Sequence, residues 1–283
     1  MRRLRPLVSA FVLVLLAAAI PARAQTPPAT LPYETLFYTH DGLRLEAYLY
    51  RPSGAGPFPL IVYNHGSAPP GEEAVEWPAP FIARTFVPAG YAVLVPERRG
   101  YGKSEGTTFS KDVGQDRGEP FVRRQQAEAG DINAAVDHVL KEFRASLDPR
   151  RVVIMGWSFG GIVTTLAAGG SDRFAAVIVQ APGALNWERS EQLRSALGEA
   201  AGRIRVPLAC SVAENDLTTE SARGICAAAS AGGAKTVLKI YPPFNSGRER
   251  PGNPPGHALF GPFGVEKWRE DALAFLADTT RTP

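Results

Sequence analysis

This 283-residue chain has little cysteine, little histidine and no large excess of either charge. Its two cysteines, Cys210 and Cys226, lack C-x-x-C spacing, and its four histidines do not cluster. Tetrahedral metal centres need three or four such ligands close together, so no metal site is expected. The glycine patterns that cradle a phosphate or a dinucleotide are missing too, and no cofactor is expected. The apolar run from Leu7 to Ile20 is 14 residues long, short of the roughly 20 that span a bilayer.

That run is preceded by Arg2, Arg3 and Arg5 and followed by Ala22-Arg23-Ala24. A charged start, an apolar middle and an A-x-A site make residues 1–24 a secretory signal, with cleavage after Ala24. Residues 25–32, rich in proline and threonine, read as a linker. Four of the 31 basic residues and none of the 28 acidic ones lie in the signal, which leaves 27 against 28. A chain so balanced gives no case for nucleic-acid binding. The expected location is periplasmic or extracellular, without a stable membrane anchor. In that oxidising setting Cys210 and Cys226 are compatible with a bridge, which needs Cα atoms about 5–6 Å apart. They are equally compatible with two small buried apolar side chains.

Residues 33–40 and 43–50 alternate like strands around Asp41-Gly42, a hairpin turn. From there apolar strands alternate with helical patterns. Strands are expected at 60–63, 91–95, 151–155, 175–179, 206–212 and 236–241. Helices are expected at 74–89, 161–168, 125–143, 219–230 and 265–277. The helix at 125–143 is the clearest, with Ala129, Ile132, Val136, Val139, Leu140 and Phe143 on one face. Strands that are apolar throughout are buried on both sides, and such alternation builds a parallel sheet between helices. Two segments break the rhythm: 104–124, polar and glycine-rich, reads as a long loop, and 183–205 reads as an insertion holding one helix.

Gly156-Trp157-Ser158-Phe159-Gly160 lies between the apolar run 151–155 and the helical segment 161–168. Strand, G-x-S-x-G turn and helix in that order place a serine on a strained turn with its hydroxyl exposed. Such a serine needs a base, a carboxylate to orient the base, and donors for an oxyanion. His257, after the last strand, is the candidate base. His40 flanks the hairpin turn, His138 sits on the polar side of a helix, and His65 lies in a glycine turn. Asp216 is the candidate carboxylate, with Glu214 as its competitor and an N-cap as its alternative role. The N–H groups of Phe159 and of Ser67, in Asn64-His65-Gly66-Ser67, are the candidate oxyanion donors. Trp157 and Trp187 are candidate substrate contacts, and 104–124 a candidate rim.

Three stretches together resemble the α/β-hydrolase superfamily, closest to its dienelactone hydrolase-like and prolyl oligopeptidase-like serine hydrolases. They are Asn64-His65-Gly66, Arg98-Arg99-Gly100-Tyr101-Gly102-Lys103-Ser104-Glu105-Gly106 and Gly156-Trp157-Ser158-Phe159-Gly160. The resemblance covers nearly all of residues 33–280 and implies a single domain over 33–283. It implies an α/β fold with a mostly parallel eight-stranded sheet and a small cap or none. Dienelactone hydrolases carry a cysteine nucleophile where this chain has Ser158, which favours ordinary ester or amide chemistry. The expected activity is hydrolysis of a small-molecule carboxylic ester through Ser158, His257 and Asp216. A peptidase or amidase on the same triad, and a catalytically silent binding module, are the alternatives. The sequence does not set the oligomeric state.

Overall fold

The computed structural model describes residues 31–69 and 71–279. The expected signal 1–24 and most of the linker lie outside the described residues. These described residues form one compact unit, built on an eight-stranded sheet of order β1-β2-β4-β3-β5-β6-β7-β8. The strands are β1 (Glu34–His40), β2 (Leu43–Tyr50), β3 (Phe58–Asn64), β4 (Ala92–Glu97), β5 (Leu147–Trp157), β6 (Ala176–Gln180), β7 (Leu208–Ala213) and β8 (Thr236–Tyr241). β1 and β2 pair antiparallel, β2 meets β4 antiparallel, and all later pairings are parallel. Asp41 and Gly42 both have positive φ, 50° and 75°, as a two-residue hairpin turn that follows strand twist requires.

The helices are α1 (Pro80–Phe86), α2 (Phe109–Asp112), α3 (Glu119–Glu142), α4 (Phe159–Gly169), α5 (Glu191–Ala201), α6 (Glu220–Ala231) and α7 (Val265–Thr279). α1 packs with α7, while α3, α4, α5 and α6 pack in succession. β4 and β6 are buried along their whole length, so their unbroken apolar runs face helices on both sides. The insertion expected at 183–205 contains α5, capped by the Ser190 hydroxyl, which accepts the Leu193 N–H at 3.0 Å. The sheet order and the flanking helices are those of the α/β-hydrolase fold.

Several boundaries differ from the sequence expectation for clear reasons. The helix expected at 74–89 is only α1, because Pro78 and Pro80 push its start to Pro80, at the first helical position. The loop expected at 104–124 contains α2 and the first turn of α3. Gly118 precedes that turn, Glu119 favours its positive end and Pro120 suits its start. The bridge weighed for Cys210 and Cys226 is not present: both are free, buried thiols. Cys210 on β7 and Cys226 on α6 meet as a hydrogen-bonded pair. That contact pulls the Cys226 thiol down to about 7, while burial pushes Cys210 up. This is a thiol contact, not the roughly 2.05 Å of a bond.

Candidate active site

β5 ends at Trp157 and α4 begins at Phe159, so Ser158 alone makes the turn between them. Its φ of 59° and ψ of −118° are not a resting place for a side-chain-bearing residue. The backbone around it fixes the strain. Ser158 N–H donates to the Gln180 carbonyl at 2.9 Å, and its own carbonyl accepts from Gly161 at 3.0 Å and Gly183 at 3.1 Å. A Cβ on Gly160 would overlap the Asn64 carbonyl, and one on Gly156 would overlap the Gly160 carbonyl. Both glycines are therefore required by close approach, which lets β3, β5 and α4 meet under the serine.

His257 lies in a short 3-10 turn, Pro255–Phe260. Its Nε2 is 2.7 Å from Ser158 Oγ. Its Nδ1 is 2.9 Å from Asp216 Oδ2 and 3.1 Å from Oδ1. Asp216 sits in the loop after β7 with its side chain fully buried, and Oδ1 also accepts the Leu217 N–H at 2.7 Å. Glu214 is exposed and points no hydrogen bond at the histidine. The structure thus brings Ser158, His257 and Asp216 into one relay and leaves Glu214 out. Trp157 supports the same histidine: its indole N–H donates to the His257 carbonyl at 3.0 Å.

Above the relay lies a cleft of about 200 Å³ whose lining includes Ser67, Trp157, Ser158, Leu185, His257 and Phe263. Phe159 is the first residue of α4, so its N–H has no acceptor within the helix. Ser67 follows a loop that is held from behind. Arg98, fully buried, donates from Nη1 to the His65 carbonyl at 3.1 Å and from Nη2 to the Gly66 carbonyl at 3.4 Å. Its Nε donates to Glu128 of α3 at 2.8 Å. The guanidinium lies 4.9 Å from the Tyr101 ring centre and 5.3 Å from that of Phe159. Burial works against the Arg98 charge, but Glu128, Tyr101 and Glu97 outweigh it and hold the pKa above the ordinary arginine value. His65 reinforces the loop, with Nδ1 2.7 Å from the Gly66 carbonyl and Nε2 at ion-pair distance, 3.1 Å, from Glu97.

Two expected contacts are corrected. Trp187 does not line the cleft; it packs on α6, where a Cβ on Gly224 would come within 2.8 Å of the indole. The 104–124 segment does not rim the cleft either. It inserts Phe109 edge-on against Phe159, with ring centres 4.9 Å apart. Sequence reasoning missed Arg98, Leu185 and the arginines at 248 and 250. The signal for the last two was the dense charge of Arg248-Glu249-Arg250 just ahead of His257. Among the described residues no cluster of three or more potential metal ligands occurs.

Residues 79–201 match the prolyl oligopeptidase family. That match and the solved structures below support the α/β-hydrolase fold and a likeness to the prolyl oligopeptidase family over this segment. The chain is 36% identical over 151 residues to the quorum-quenching protein AidA of Acinetobacter baumannii, covering 53% of this chain and 44% of that protein. It is 29% identical over 160 residues to the uncharacterized peptidase YuxL of Bacillus subtilis, covering 53% of this chain and 22% of that one. The chain thus spans less than half the length of either relative. In fold it is similar to the acylaminoacyl peptidase of Pyrococcus horikoshii, with a TM-score of 0.69 at 16% identity over 89% of this chain and 42% of that one. An esterase of Pyrococcus furiosus gives 0.62 at 15% identity over 92% and 97% of the two chains.

The Arg98 contacts generate a stability prediction. Arg98→Met keeps most of the side-chain volume but leaves the His65 and Gly66 carbonyls without their shared donor, and leaves Glu128 to Arg124 alone. Removing one partner of a buried pair typically costs about 3–5 kcal/mol. Urea denaturation should register a loss in that range, and a loss below about 1 kcal/mol would contradict the contact's assigned weight.

Proposed function

We propose that this serine hydrolase cleaves a small carboxylic ester. The observation that carries the reading is the relay from Ser158 through His257 to buried Asp216, at 2.7 and 2.9 Å. Ser158 Oγ attacks the carbonyl carbon as Nε2 of His257 takes its proton. The carbonyl oxygen becomes an oxyanion, held by the N–H groups of Ser67 and Phe159. Asp216, bonded to Nδ1, fixes the imidazole tautomer and stabilises the imidazolium. Collapse expels the alcohol, which takes its proton from Nε2. Water, deprotonated by the same nitrogen, then releases the acid and regenerates Ser158.

A cleft of about 200 Å³ favours small substrates. Amide hydrolysis on the same groups is the second reading, supported by the match of residues 79–201 to the prolyl oligopeptidase family. An inactive binding module is disfavoured, because a strained serine costs about 1–3 kcal/mol that binding alone would not require. Trp157, beside both Ser158 and the His257 carbonyl, serves as a wall of the acyl site.

Chromogenic esters and aminoacyl-arylamides, assayed side by side, test the reading. Ester turnover should exceed amide turnover, and the reverse ranking would favour the peptidase. Ser158→Ala should lower the ester rate on the order of 10⁴–10⁶-fold, and Asp216→Asn by about 10⁴-fold, while Glu214→Gln stays near the parent. A Glu214 effect larger than that of Asp216 would move the orienting role.

We also propose that residues 1–24 direct export and are removed, so that the protein works in the periplasm or outside the cell. The charged start, the 14-residue apolar run and the A-x-A site support this. Among the described residues no helix is long and apolar enough to cross a membrane. Mass spectrometry of the exported protein should find Gln25 at the N-terminus, and an exported form retaining Arg2 would overturn the proposal.

A further inference from the structure

The cleft carries charges that ester hydrolysis itself does not call for. Its outer wall is the loop between β8 and the 3-10 turn bearing His257, and that loop contributes Arg248, Glu249 and Arg250 to the lining. The rest of the lining has no other acid, lysine or arginine. Net charge within the cleft is therefore set by how these three residues are spent.

Glu249 is turned back into its own loop. Its Oε1 accepts the Ser246 N–H at 2.6 Å, the Ser246 hydroxyl at 2.8 Å and the Gly247 N–H at 3.0 Å. The Ser246 hydroxyl, with these N–H groups, holds its carboxyl below the usual carboxylate range. The two arginines flanking it face no such partner. Among the described residues neither has a carboxylate within 4.0 Å. Their heads are nonetheless held. The Arg248 guanidinium lies 5.0 Å over the ring of Phe263, itself a lining residue. Arg250 donates from Nη1 to the Ser67 carbonyl at 3.2 Å, which anchors it beside the candidate oxyanion loop. The loop is also pinned at its start. Asn215, next to Asp216, donates to the Phe244 carbonyl and accepts its N–H, both at 2.9 Å.

Two cations held in one cleft without a paired carboxylate, together with the apolar side chains of Trp157, Leu185 and Phe263 in the same lining, make a site for an amphipathic anion. A guanidinium presents five N–H donors in a fork that matches a carboxylate, and Arg250 spends one on Ser67. We propose that the cleft selects esters whose acyl chain ends in a carboxylate, bound by Arg248 and Arg250 while the scissile carbonyl lies at Ser158. This deepens the ester-hydrolase reading above and rests on it. An uncharged ester of the same length fits the apolar wall but leaves the guanidinium donors to water.

The test compares 4-nitrophenyl hydrogen adipate with 4-nitrophenyl hexanoate, esters of equal chain length that differ in the terminal group. The parent should favour the adipate ester in kcat/KM by on the order of tenfold at low salt, and the preference should shrink as salt rises. Arg248→Gln and Arg250→Gln should each reduce the ratio several-fold, and Arg248→Lys should retain more of it than Arg248→Gln. The ratio is the readout because a general loss of activity cancels from it. A parent ratio near one, or a ratio unmoved in the double variant, overturns the proposal. Calorimetric titration of the Ser158→Ala variant with both esters separates this from the reaction itself. If the parent cleaves neither ester, the hydrolase reading fails. Tighter adipate binding that Arg248→Gln abolishes then still supports the subsite, and equal affinities overturn it.

Discussion

A single buried guanidinium ties the loop after β3 to the helix that covers it. Arg98 reaches two consecutive carbonyls, those of His65 and Gly66, and an acid on α3, Glu128. A peptide whose carbonyls are held inward turns its following N–H groups outward, which is how Ser67 comes to face the cleft. The same guanidinium lies against the ring of Phe159, so both proposed oxyanion donors belong to residues packed around one charge. Breaking it would loosen the loop that carries Ser67 without touching Ser158 or His257. Buried charges of this kind are costly unless fully partnered, and here the partners are supplied by the loop after β3, the segment after β4, and α3.

The turn that bears Ser158 is built on close approach instead of charge. β3, β5 and α4 converge so tightly that Gly156 and Gly160 leave no room for a Cβ. That convergence holds Ser158 at a positive φ, and its backbone bonds to Gln180, Gly161 and Gly183 offset the strain. His257 arrives separately, on a turn after β8. Trp157 couples the two sides, since its backbone ends the strand before the serine and its indole holds the His257 carbonyl. A change at the far end of that indole would therefore reach His257 before it reached Ser158.

Most of the fold was legible because the sheet is buried on both faces, which writes unbroken apolar runs such as those of β4 and β6 into the sequence. The hairpin at Asp41-Gly42 was legible because only a few residues adopt its turn. Ser158, Asp216 and His257 were legible through order and context, although the choice between Asp216 and Glu214 needed the burial and direction of the side chains. Arg98 was visible only as part of a motif: one sequence does not tell whether an arginine is solvated or sealed against Glu128, thirty residues on. Trp187 misled for the opposite reason. A large aromatic has the composition of a binding wall, but the place of Trp187 is against α6, where Gly224 leaves room for its indole. The thiols of Cys210 and Cys226 did come together, at hydrogen-bonding range, a distinction that spacing does not encode.

The central claim is that Ser158 is the nucleophile and that Ser67 and Phe159 receive the oxyanion. A crystal structure of the protein after reaction with an alkyl fluorophosphonate tests it most directly. The account predicts a covalent bond from Ser158 Oγ to phosphorus, with the phosphoryl oxygen about 2.7–3.1 Å from the N–H nitrogens of both Ser67 and Phe159. An adduct on another residue, or a phosphoryl oxygen turned away from those two donors, would contradict it.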